Sequence, residues 1–190
     1  MTSAGPYAKT YSPSCTPAAD GSPEALAQTK PCLTLTIIPT TYSTNYSVSP
    51  VISFSHTGCF HVLLTNTSEQ PVNLFEEWNM WGHSALSFEI IYPNGQKTRS
   101  VRAKLIWDKN FPSTVTIAPH GFYVFNVTFN TDPKEGDVWQ NSPRSKESYD
   151  HGVSCRVRAI YSIESSKQAT EAKAWTGTVN SPVRSYIIWP

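Results

Sequence analysis

Cys59 sits between two histidines in 56-HTGCFH-61, and this spacing is the first place to look for chemistry. On a β-strand, residues i and i+2 share a face, so Cys59 and His61 would project together as two metal ligands or as a thiol beside a base. A tetrahedral site needs further ligands, and His83, His120 and His151 are scattered singly with no second close pair. A blue-copper site would cluster Cys, His and Met late in the chain, and neither His nor Met closely follows Cys155. The sequence contains no Gly-x-Ser-x-Gly elbow, no glycine-rich phosphate loop and no local Cys–His hydrolase signature. Glu76 and Glu77 are adjacent, so on a strand they face opposite ways and do not make a glycosidase pair. Asp132, Glu135 and Asp137 fit no standard calcium loop. The expectation is therefore a non-enzyme without cofactor or metal.

Aromatic residues offer a different chemistry. Trp78, Trp81 and His83 lie close together in 76-EEWNMWGHS-84, a stretch with no clean alternation. Trp139 stands in the long polar connection 129–152. Trp and Tyr bury large area at low entropic cost, which makes them frequent anchors of protein and glycan sites. These four residues are the expected ligand-binding set, and the competing expectation is that the rings cap the core.

The elements that must position these side chains are strands. Leu33, Leu35 and Ile37 alternate in 32-CLTLTII-38. Further strands are expected at 48–54, 59–66, 72–75, 85–92, 96–103, 113–119, 122–129, 152–163, 172–179 and 183–189. Pro50 marks an edge or a bulge, and Asn94-Gly95 marks a tight turn. Almost nothing has a helical period. Many strands separated by turn signals predict an all-β sandwich or barrel.

Residues 1–31 form a Pro-, Ser- and Thr-rich arm, and the sandwich domain is expected over 32–190. The arm has no apolar stretch of the kind that a signal peptide needs. Cys15 and Cys32 could bridge the arm to the start of the domain, which would contribute ~3 kcal/mol for a loop of that size. With 15 basic and 14 acidic residues the net charge is +1, and no basic stripe suggests nucleic acid. No apolar run approaches the ~20 residues needed to span a bilayer. Few charges, an even cysteine count and abundant Thr and Ser suit an extracytoplasmic protein, secreted or periplasmic. The acceptor triplets at Asn45, Asn66 and Asn126 read as chance in so hydroxyl-rich a chain.

Two resemblances give the sandwich more detail. The lead-in 150-DHGVSC-155 is similar to the late cysteine strand of immunoglobulin-like domains, with Val153 where those domains place a tyrosine. The blocks 65-TNTSEQPVNLFEE-77 and 111-FPSTVTIAPHGFYVFNVTF-129 resemble bacterial immunoglobulin-like β-sandwiches, including the intracellular proteinase inhibitor family of bacilli. The resemblance implies an antiparallel immunoglobulin-like sandwich and a compact, non-catalytic domain. It also implies a core disulfide between Cys59 and Cys155, worth ~4 to 5 kcal/mol in the chain-entropy model. The alternative is two unpaired cysteines packed as small hydrophobes.

The function expected first is a non-catalytic module that binds a protein or glycan, or builds an assembly. The second is a proteinase inhibitor acting through the 130–151 loop. The third is a homo-oligomer that exchanges strands through its N-terminal arm.

Overall fold

The computed structural model describes residues 33–43, 49–53, 59–107, 110–129, 138–143 and 152–189. The arm, the expected Cys15–Cys32 bridge and most of the 130–151 loop lie outside these residues. The described chain is all-β with two short helices. A small antiparallel sheet has the order β1 (Leu33–Ile38), β4 (Phe60–Asn66), β9 (Phe122–Val127). A large sheet runs β10 (Trp139–Gln140), β7 (Lys97–Arg102), β6 (Leu86–Ile91), β11 (Val153–Ile163), β13 (Arg184–Trp189), β3 (Ser49–Ser53), β2 (Thr41–Ser43). β12 (Gly177–Asn180) pairs with the far half of β11. β5 (Val72–Phe75) and β8 (Thr114–Ile117) form a two-stranded ladder. No helix among the described residues is long and apolar enough to cross a membrane.

Alternation places the core. Leu33, Leu35 and Ile37 of β1, with Phe60, Val62 and Leu64 of β4, turn inward, as their period-2 pattern predicts. β1 lies against β11, whose Val157, Ala159 and Tyr161 are buried. Phe60, Phe88, Phe129 and Trp139 pack ring against ring, with centroids 5.0 to 5.4 Å apart. Gly95 takes φ +83° in the turn expected at Asn94-Gly95, where the Asn94 side chain accepts from the Gln96 N–H.

Three expectations are corrected. The large sheet is mixed, because β13 is antiparallel to β11 but parallel to β3. Periodicity fixes which face of a strand is inward and says nothing about its direction beside a distant partner. Pro50 pairs with Tyr42 of edge strand β2, and the ladder to β13 begins one residue later at Val51, which spares the proline a missing donor. The Cys59–Cys155 bridge is not formed: both cysteines are free thiols. The small-sheet strand lying against β11 is β1, whereas Cys59 sits just ahead of β4. Finally, the strand expected over 172–179 is shortened to β12, because α2 (Lys167–Glu171) precedes it, capped by Ser166 Oγ accepting from the Ala169 N–H.

The blocks 65–77 and 111–129 turn out to face each other. β4 and β5 are one broken strand, β8 and β9 another, and they pair antiparallel throughout. Between the two ladders, residues 66–71 face residues 118–121, so the pair bends out of the small sheet at this mismatch. Asn66, fully buried, holds the bend: Nδ2 donates to the carbonyls of Gln70 and Ala118, and Oδ1 accepts from Ser68 N–H and Oγ–H. Its amide is therefore engaged in structure, in line with a chance acceptor triplet.

Candidate functional site

Beyond the bend, β5 runs into the turn Glu76–Asn79 and the single-turn helix α1 (Met80–His83). Asn79 builds this corner. Its Oδ1 caps α1 by accepting from the Gly82 N–H at 3.0 Å, and its Nδ2 donates to the Ser113 carbonyl at 2.9 Å. Gly82 is required here, since a Cβ at this position would stand 2.2 Å from the Glu76 carbonyl oxygen. The connection from β7 to β8 lies alongside α1. Asn110 Oδ1 accepts from the Met80 N–H at 3.0 Å, and His83 Nε2–H donates to the Ala103 carbonyl at 3.0 Å.

This scaffold presents an apolar end. Trp78 and Phe111 meet edge to face, with centroids 4.7 Å apart, and both are exposed. Met80 on α1 and Leu105 on the connection are exposed, and Ile106 is 98% exposed. Between Ala103 and Trp107 the chain is anchored at both ends: the Ala103 N–H donates to the Val138 carbonyl at 2.8 Å, and the Trp107 ring packs on His83. Sequence reasoning missed Leu105, Ile106 and Phe111, although 105-LIW-107 is an apolar triplet in a segment with no strand pattern.

The four aromatic positions expected to bind ligand separate. Trp78 is on the surface. Trp81 stacks on Phe75 at 5.5 Å and packs against the core. His83 is buried and braces the Ala103 carbonyl. Trp139 is 2% exposed and belongs to the core, because β10 pairs with β7 and turns the indole inward onto Phe88 and Phe129. His83 and Trp139 are thus buried and Trp81 partly buried against the core, which leaves Trp78 as the exposed member of the set.

Glu76 and Glu77 face opposite ways. Glu76 accepts from the Trp78 indole N–H at 2.9 Å on the outside. Glu77 points inward, where it pairs with Arg102 and accepts from the Tyr123 hydroxyl at 3.1 Å. Arg102 in turn lies over the Trp139 ring, 5.4 Å from its centroid. The Tyr123 hydroxyl is pushed up to about 12, first by burial and then by the Glu77 carboxylate. Tyr161 is pushed up by burial too, and its hydroxyl has no hydrogen-bond partner among the described residues. Burial pushes the Cys155 thiol up to about 11. These shifts keep the hydroxyls and the thiol neutral, which suits a packed interior rather than a nucleophile.

The remaining histidines are dispersed. His61 Nδ1 lies 2.8 Å from Asn126 Oδ1, and the exposed His120 pairs with Glu69 at 2.9 Å. Among the described residues no cluster of three or more His, Cys, Asp or Glu could hold a metal ion. His56 and His151 lie outside the described residues.

No protein-family model matches the chain, and no curated protein matches it. A crystal structure solved as a target of the Northeast Structural Genomics Consortium aligns with 85% of this chain and 87% of its own, at 11% identity and a TM-score of 0.34. Similarity at that level assigns neither fold family nor function.

Proposed function

We propose that this chain is a non-catalytic binding module, of immunoglobulin-like sandwich architecture, that docks a protein partner through the end formed by Trp78, Met80, Leu105, Ile106 and Phe111. The observation behind it is the exposure of five large apolar side chains on the Trp78–Met80 turn and the connection held against α1, with Ile106 at 98%. Contiguous exposed apolar groups on a soluble domain mark an interaction site more often than chance. The corner is also pre-organised by the Asn79, Asn110 and His83 hydrogen bonds, which lowers the ordering cost of binding. A protein surface suits it better than a glycan. Trp78 already donates its N–H to Glu76, and its ring stands at 67° to Phe111, so the two rings do not form a flat stacking platform.

The test is affinity capture from extracts of the native source, with wild type beside Ile106→Asp and Trp78→Ala/Phe111→Ala. A protein retained by wild type and lost by both variants supports the reading, and a glycan array should stay blank. Retention unchanged by both variants overturns it.

One observation favours proteinase inhibition as a second reading. The Ala103–Trp107 segment holds an exposed apolar side chain between two anchors, the form in which an inhibitor offers a residue to a protease cleft. A panel of serine, cysteine and metalloproteases assayed with the pure protein would separate the two. Inhibition lost with Ile106→Asp selects the second reading.

A further inference from the structure

The small sheet differs from the rest of the molecule in charge. None of the residues of β1 (LTLTII), β4 (FHVLLTN) or β9 (FYVFNV) is Asp, Glu, Lys or Arg. β1 runs close to β12 along the flank of the fold. Among the described residues, β9 has a hydrogen-bonded neighbour on one side only, β4.

The phase of that ladder fixes what the other side offers. The Asn66 N–H donates to the Gly121 carbonyl at 2.9 Å, so Tyr123, Phe125 and Val127 direct their backbone groups toward β4. Phe122, Val124 and Asn126 therefore turn their N–H and C=O groups outward, where no described backbone meets them. Their side chains are exposed as well, Phe122 at 64%. Open edges in soluble proteins are ordinarily blunted by a lysine, a proline, a bulge or a covering loop. β9 has no charge and no proline, and the side chains of Phe122, Val124 and Asn126 are exposed.

We propose that β9 is a self-pairing edge, joined antiparallel to β9 of a second copy of this chain across a two-fold axis at Val124. With Val124 facing Val124, Phe122 falls opposite Asn126, and all three outward N–H and three outward C=O groups of each edge gain partners. A second copy fits this edge because the edge complements itself in that register. Neither side brings a charge into the pairing, so no like-charge repulsion opposes it. The outward row of Thr36, Leu63 and Val124 would continue into the same row of the second copy, making one six-stranded sheet. This inference does not depend on the apolar end.

The experiment is sedimentation velocity on the full chain from about 1 to 100 μM, since mass action governs a homodimer. It is paired with amide exchange at both concentrations. The expected result is a monomer–dimer equilibrium in which the amides of Phe122, Val124 and Asn126 exchange at least about tenfold more slowly in the concentrated sample, following dimer population. Val124→Lys puts a charge at the axis without touching a β4 bond, and should weaken the dimer by about tenfold or more. A wild type that stays monomeric throughout overturns the proposal. So does a dimer unaffected by Val124→Lys, or one that protects residues 1–31 and leaves the β9 amides unchanged. Protection of these amides in a monomer by a co-purified peptide also overturns it. If Val124→Lys does not fold, the exchange pattern of wild type decides alone.

Discussion

Two tryptophans sit at opposite ends of one pair of neighbouring glutamates. Glu76 turns outward and accepts from Trp78, which stays on the surface against Phe111. Glu77 turns inward and pairs with Arg102, which lies over Trp139 in the core. Each side joins a glutamate and a tryptophan, Glu76 directly to Trp78 and Glu77 through Arg102 to Trp139. The outcome differs because adjacent residues face opposite ways, so one carboxylate meets water and the other a buried guanidinium. A buried pair of this kind also commits its surroundings, since loss of one partner leaves the other charged and desolvated. The outer tryptophan bears no such commitment, which leaves it available for binding.

The comparison breaks most visibly at Trp139. Replacing Trp139 by Ala should remove ~3–5 kcal/mol of stability, because it opens a cavity among Phe88, Phe129 and the Arg102 guanidinium. Urea unfolding of the variant measures this, and a loss below ~1 kcal/mol would place Trp139 outside the core.

Alkali should attack the same interior next. The Cys155 thiol goes from 9.0 to about 11 and the Tyr123 hydroxyl from 10.0 to about 12, both raised, so the folded state holds these protons more tightly than the unfolded chain. Their contribution is fully present below pH 9 for the thiol and below pH 10 for the hydroxyl. It is lost as pH rises through about 11 and about 12. The urea midpoint should fall between pH 9 and 11, and Cys155→Ala should flatten that part of the fall. A Cys155→Ala midpoint that falls as steeply as that of wild type over this range would contradict the burial of the thiol.

The smallest effect on stability is expected at the outer end. Trp78→Ala with Phe111→Ala should shift unfolding by less than ~1 kcal/mol, since both residues are exposed, their rings pack on each other, and neither belongs to the core cluster. A loss comparable to that of Trp139→Ala would mean that the corner is structural and would remove the binding proposal.

Much of the strand content was legible in the chain. β1, β4, β6, β9 and β11 follow from period-2 runs of β-branched, leucine and aromatic residues, and the Asn94-Gly95 turn follows from its residue types. The short elements were not legible. α1 spans Met80–His83 and β10 only Trp139–Gln140, too few residues for any period to show. They form because Asn79 reaches Ser113 and because the edge of β7 accepts β10, contacts between segments far apart in sequence. The candidate site was legible only at Trp78. Leu105, Ile106 and Phe111 look like any other apolar residues until the connection that holds them is seen lying outside the core.

The sequence by itself determined that the chain is built of strands, which side chains of the long strands turn inward, and where the tightest turn falls. Each of these is a local property, set by residue type and by the two-residue repeat of an extended backbone. Tertiary structure alone decided which tryptophan is buried, that Cys59 and Cys155 are unpaired, that β13 runs parallel to β3, and that β9 has no strand on its outer side among the described residues. These depend on which distant strands become neighbours. Burial is a sum over contacts from the whole chain, and no single stretch of residues contains it.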